Sequence, residues 1–240
     1  MNGASGTHHI GCLGFGHQGA FCLKQLSLME IQESFVRPPK PSTCRQWMER
    51  APAGFAFSVR AWLLITHGRE SPAFARLTDK QRRHLDDCGF FRWTEPVQRA
   101  YRRTIQCAID LAAHAIVFDT PASFTPTPAN RNHLRVFFER IDRPNDIGLV
   151  WQPRGVWAPR EVDSVCRELQ LLAAVDPIVA TTWPAGPVAY LKLGAAQYRD
   201  GDLFELAQGI QAYGRSYCVF DGSNAGHDAL RLRAMLPEVR

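Results

Sequence analysis

Short continuous apolar runs alternate along this chain with stretches whose apolar residues return every three or four positions. The runs at residues 9–13, 28–32, 55–59, 115–118, 147–150, 171–175, 188–191 and 217–220 read as eight strands. Between them, residues 42–50 form an amphipathic segment. Val97, Tyr101, Thr104, Ala108 and Leu111 recur at helical spacing, as do Leu134, Phe137, Phe138 and Ile141. Residues 161–169 also read as helical, Leu203, Leu206, Ile210 and Tyr213 mark a further helix, and Ala225, Ala229, Leu232 and Leu236 stripe the last. Strands that are apolar throughout, rather than at every second residue, are buried on both faces, which is the pattern of a parallel sheet covered by helices. Eight such strands with intervening crossovers predict an α/β fold, a closed parallel TIM-type (β/α)8 barrel. The expectation is one domain over residues 1–240, with a long arm at about residues 60–96 inserted after strand three. The connection between strands six and seven, DPIVATTWPAGP at residues 176–187, holds three prolines and is too short for a full helix, so an irregular crossover is expected there. A doubly wound open sheet is the alternative. Gly14, Gly16 and Gly19 supply a GxGxxG after the first strand, but no acidic residue stands about 20 positions on, and the spacing reads as chance.

Composition narrows the class. The chain has 240 residues, 45% hydrophobic and 21% charged, an ordinary balance for a soluble globular protein. No apolar stretch approaches the roughly 20 residues of a membrane helix, and MNGASGTHHI lacks the regions of a secretory signal. Seven cysteines without a CxxC, and no HExxH, indicate neither a zinc site nor a disulfide framework. A reduced, cytoplasmic protein without a metal or cofactor is expected. The formal charge of +5 permits a polyanionic partner without requiring one.

Several segments together carry a resemblance. MEIQESFVRPPKPSTCRQWMERAPAGFAFSVRAWLLITH at residues 29–67 resembles the first third of the YecE-like family, known as domain of unknown function 72. FDTPASFTPTPANRNHLRVFFERID, WQPRGVW, VDP at residues 175–177 and FDGSNAGHDALRLRAML match it in order. The resemblance spans nearly the whole chain and implies a single TIM-type barrel; it implies no established reaction. Members often have Glu where Gln152 stands, Tyr at Val36, Asn at Asp221 or Gly222, and His-Gly where Gly194-Ala195 follows strand seven. These departures mark a divergent member, with altered or reduced chemistry at those positions.

In barrels of this class the C-terminal ends of the strands line the functional mouth. That rule selects Glu30, Gln32, Arg60, Asp119, Thr120, Gln152, Arg154, Asp176, Lys192 and Asp221, with Thr66 and His67 joining from the loop after strand three. Three carboxylates (Glu30, Asp119, Asp176) are expected to meet three cations (Arg60, Arg154, Lys192). An ion-pair ring closing the barrel would use the same residues as a ligand site. His67 is the histidine at a strand-end mouth and the candidate general acid or base, with Glu30 and Asp176 as catalytic carboxylates; a packing histidine would look the same. In WQPRGVW, Pro153 and Gly155 set a turn and Trp151 and Trp157 are placed to pack over Arg154, which would orient its guanidinium for a carboxylate or phosphate. Gly194 and Gly222-Ser223-Asn224 follow strands seven and eight, where such barrels often hold phosphate, although Asp221 would repel an anion and plain helix capping needs the same residue types.

Two functional classes follow. The first is a metal-independent enzyme, a hydrolase or lyase, or a binder of a small anionic ligand. Arg154, Arg60 and Lys192 would hold that ligand, with Gln152, Asp119, Asp221 and Asn224 around it. The second is a nucleic-acid-binding barrel, similar by fold analogy to the endonuclease branch, using Arg69, Arg76, Lys80, Arg82, Arg83, Arg92, Arg99, Arg102 and Arg103 with Trp62, Phe90, Phe91 and Trp93. That branch normally carries a His/Asp/Glu metal cluster, which strand-end histidines are too few to supply here. A solvated arm with its aromatics tucked against the barrel explains the same composition, and an interaction scaffold without catalysis is a third possibility.

Overall fold

The structure, a computed structural model, describes residues 6–14, 19–76, 78, 85–195 and 197–236. Eight parallel strands close into a barrel in the order β1 to β8, each neighbouring the next in sequence. They are β1 (Thr7–Leu13), β2 (Leu28–Ile31), β3 (Ala56–Arg60), β4 (Ala115–Asp119), β5 (Gly148–Gln152), β6 (Leu172–Val175), β7 (Val188–Leu193) and β8 (Arg215–Phe220). β2, β3 and β4 are buried at every residue, which is why their apolar runs are unbroken. The connections carry α1 (Gly19–Gln25), α2 (Glu33–Val36), α3 (Pro41–Arg50), α4 (Leu63–Thr66), α5 (Glu95–Asp110), α6 (Pro128–Arg140), α7 (Pro159–Glu168), α8 (Pro177–Ala180), α9 (Asp200–Gly209) and α10 (Ala225–Ala234). α8 is a single turn, as the prolines of that crossover predict. No described helix is long and apolar enough to cross a membrane. Of the glycine motif, Gly14 is described and Gly16 lies outside the described residues.

Contacts within the chain gather into two units. One comprises residues 1–30, 50–57 and 172–240, the other residues 31–49 and 58–171. In the first, β1 pairs with β2 and β8, β6 with β7, and β7 with β8. In the second, β4 pairs with β3 and β5, and the ladder runs on to set Phe118 against Trp151 and Asp119 against Gln152. Strand five therefore extends past its apolar run, and Trp151 and Gln152 belong to the strand rather than to the turn.

The described end of the arm packs its aromatics into the core. Phe91 is fully buried, with its ring centroid 5.3 to 6.0 Å from those of Phe118, Phe124, Phe137 and Phe138. Gly89, Phe90 and Phe91 all hold positive φ, at 81°, 53° and 55°. Non-glycine residues are strained in that conformation and keep it where surroundings impose it. Here Gly89 N donates to Leu64 O at 2.8 Å and Phe91 N to Ile65 O at 2.9 Å, which seats the returning arm on α4. A Cβ on Gly89 would stand 2.0 Å from the carbonyl oxygen of His67, so the close approach that fixes His67 requires glycine.

Candidate functional site

The ends of β3, β4 and β5 bring a first group together. Asp119 closes β4 and is 5% exposed. Arg60, the last residue of β3, donates through Nη2 to Asp119 Oδ2. Arg154, two residues past β5, donates through Nε to Oδ1 at 2.7 Å and through Nη2 to Oδ2 at 3.2 Å. One buried carboxylate thus carries two guanidiniums, the second gripped side-on, a geometry that fixes the plane of the fork. The Arg154 side chain remains 50% exposed while that of Arg60 is 9% exposed. Gly155 holds the turn with φ of 81°, its α-carbon so close to Ala122 that a Cβ would meet that carbonyl oxygen at 2.7 Å.

The tryptophans pack against each other and against a second arginine. Trp151 and Trp157 pack edge to face at 4.9 Å, and the guanidinium over the Trp157 ring is that of Arg131, at 5.1 Å. Arg154 takes its orientation from Asp119. Gln152 accepts through its backbone oxygen from Thr120 N and Thr120 Oγ1. Its side-chain Oε1 is buried without a donor among the described residues.

Under Arg60 lies Phe35 of α2, 4.3 Å from the guanidinium carbon to the ring centre. α2 is tied to β3 by Ser34, whose hydroxyl donates to Arg60 O at 2.7 Å. Phe35 also packs edge-on against the His67 ring at 5.0 Å. His67 is 7% exposed, its Nδ1 2.8 Å from Thr66 Oγ1. Burial drives its pKa down to about 4; Asp119 opposes that shift, and Arg60 and Arg154 reinforce it. The imidazole is therefore neutral at pH 7. A pKa of about 4 lies below the near-neutral range usual for histidine, and the neutral ring can donate or accept a hydrogen bond.

The shift carries a pH signature. The unfolded histidine takes a proton near 6.5 while the folded one resists it down to about 4. The stabilisation is whole above pH 6.5 and is lost as pH falls towards 4, amounting to about 3 kcal/mol across the window. Urea unfolding at a series of pH values should show that the wild type loses about this much more than His67→Gln between pH 7 and 4. Equal losses would contradict it.

The ends of β2, β7 and β8 hold a second group. Glu30 is fully buried and accepts from Tyr190 Oη at 2.7 Å and from Lys192 Nζ at 2.8 Å. Lys192 lies 3.9 Å from the more exposed Asp221. Tyr190 was not selected from the sequence, although it precedes Lys192 by two residues on one strand and so shares its face.

Asp176 corrects the expected ring. Its partners are not cations: Oδ1 caps α8 through Ile178 N and Val179 N, and Oδ2 accepts from Tyr198 Oη at 2.5 Å and Gly194 N at 3.3 Å. The carboxylate organises the irregular crossover. Asn224 stands exposed at the N-cap of α10 without a side-chain capping bond. The cavity beside it, lined by Tyr198, Asp221, Gly222, Asn224 and Asp228 among others, is about 10 Å³, room for about one water. Among the described residues no three His, Cys, Asp or Glu side chains converge as a metal-binding group. In the arm, Arg69 pairs with Asp86 and Arg99 and Arg102 with Glu95. Lys80, Arg82 and Arg83, and the Arg76 side chain, lie outside what is described.

Comparison with known proteins gives the family and the fold. The profile of the family described as "Protein of unknown function DUF72" matches residues 20–239. No curated protein matches the chain. A DUF72 family protein from Enterococcus faecalis V583 is similar in structure at 14% identity, covering 98% of this chain and 97% of its own, with a TM-score of 0.69. One from Thermotoga maritima MSB8 aligns at 16% identity over 97% and 100%, with a TM-score of 0.65. Endonuclease IV from Thermus thermophilus aligns at 13% identity over 96% of each chain, with a TM-score of 0.53. At these identities the likeness is one of fold.

Proposed function

The chain belongs to the DUF72 family, and from that premise we propose that it binds a small anionic ligand, bearing a carboxylate or phosphate, at the C-terminal ends of β3, β4 and β5. The observation that carries the reading is Arg154: its guanidinium is held in plane by two bonds to the buried Asp119, yet half the side chain faces solvent. Arg60 already serves as a buried counter-charge for that carboxylate. A second, exposed and oriented guanidinium suits recognition, because a planar fork matches the two oxygens of a carboxylate or phosphate. Neutral His67 adds a hydrogen-bonding group near the same charges. Gln152 Oε1 adds a buried acceptor that a hydroxyl or amine of the ligand would satisfy. Nucleic acid is the weaker reading, since the described arginines of the arm at 69, 99 and 102 are engaged with carboxylates.

Thermal melts test this with inorganic phosphate, pyrophosphate and small mono- and dicarboxylates, each against sodium chloride at equal ionic strength. At least one is expected to raise the melting temperature saturably, equivalent to about 2.7 kcal/mol at a hundredfold excess over Kd. A rise no larger than that in chloride for every anion would contradict the reading.

A further inference from the structure

Four of the seven cysteines meet in pairs that sequence spacing conceals. Cys44 on α3 and Cys107 on α5 bring their sulfurs to 3.7 Å, and both are buried. Cys12 on β1 and Cys22 on α1 also hydrogen-bond. The pairs differ in what surrounds them. Cys12 sits in a strand paired on both sides, to β2 and β8, and cannot move without breaking the barrel ladder. Cys44 is the single buried residue of its ten-residue helix. A helix that short has little stability of its own, and with one fully buried side chain it is expected to open at less cost than α5. Cys107 lies on the 16-residue α5, which is fixed by six buried residues.

We propose that Cys44 and Cys107 form a redox-active dithiol, which a low-molecular-weight disulfide oxidises to a bond stapling α3 to α5. Disulfide geometry needs sulfurs about 2.0 Å apart, so closure takes roughly 1.7 Å of approach, shared between side-chain rotation and a shift of the lightly held α3. In the step, the Cys44 thiolate attacks one sulfur of the small disulfide, whose S–S bond breaks and releases a thiolate that takes up a proton. Cys107, its proton lost to solvent, then attacks Cys44 Sγ and expels the second small thiol. Two protein thiols are oxidised and one small disulfide is reduced to two thiols, so electrons and protons balance. Cys44 is placed as the first attacker because its helix is the more lightly held of the two; within the contact itself either sulfur can be the donor. The closed loop would enclose residues 44–107, including Arg60, His67 and the left-handed turn at Gly89. This inference stands independently of the anion reading.

The test equilibrates the reduced full chain in glutathione buffers of rising oxidised fraction. Samples are quenched with acid, alkylated under denaturing conditions and digested without reductant. A Cys44–Cys107 crosslinked peptide should appear first, while Cys12 and Cys22 are still recovered alkylated. The oxidised chain should run faster on a non-reducing gel and melt roughly 5–10 °C higher. Cys107→Ser should remove the crosslink and leave Cys44 as the mixed disulfide; should that variant fail to fold, the wild-type peptide map decides alone. Cys44 and Cys107 recovered alkylated at every ratio, a crosslink that forms first at Cys12–Cys22, or Cys44 arrested as the mixed disulfide in the wild type would overturn the proposal.

Discussion

Replacing Asp119 with alanine is expected to destabilise the chain by about 3–5 kcal/mol, because it strands a buried charge. Asp119 is 5% exposed and the Arg60 side chain 9%, so water cannot replace the lost carboxylate at Arg60. Arg154, half exposed, contributes less to the loss. Urea unfolding at pH 7 should read this as a lower midpoint with an unchanged slope. The double variant Asp119→Ala with Arg60→Met should recover much of the stability, since it removes both buried charges and the remaining partner of Asp119, Arg154, is half exposed to water. A loss below about 1 kcal/mol for Asp119→Ala would show that this ion pair is not what holds Arg60 in the barrel.

Glu30→Ala is expected to cost a similar 3–5 kcal/mol. It removes the acceptor for both the buried Tyr190 hydroxyl and the Lys192 ammonium, whose side chain is 5% exposed. The next carboxylate, Asp221, lies 3.9 Å away and is 40% exposed at its side chain, so it compensates poorly. Glu30→Gln keeps an acceptor in place and should cost less, about 1–3 kcal/mol. Equal costs for the two, measured by the same unfolding experiment, would mean that packing rather than charge and hydrogen bonding dominates at Glu30.

The fold was legible because parallel barrel strands are buried on both faces and so write themselves as apolar runs; each of the eight runs lies on a strand. What the runs could not show is where pairing continues. Strand five extends through Trp151 and Gln152 because β4 supplies Phe118 and Asp119 opposite them, and that partner is some thirty residues away in sequence. The strand-end rule found Arg60, Asp119, Arg154, Glu30 and Lys192 as candidates, but not who pairs with whom, because ion pairs are settled by register and rotamer. Asp176 went astray for the same reason. Its partner Tyr198 lies beyond an irregular crossover, and an Asp before a proline reads equally as a helix cap. The depressed titration of His67 depends on burial by Phe35 and the returning arm, and spacing along the chain carries no signal of either.

The most direct test of the anion site compares wild type, Arg154→Lys and Arg154→Met in the presence of an anion that stabilises the wild type. Without ligand, the two variants should unfold within about 1 kcal/mol of wild type, since the side chain is half exposed and Asp119 retains Arg60. With ligand, Arg154→Met should lose the stabilisation, and Arg154→Lys, which keeps the charge without the planar fork, should lose most of it. Stabilisation of Arg154→Met by the same anion to the wild-type extent would contradict the account.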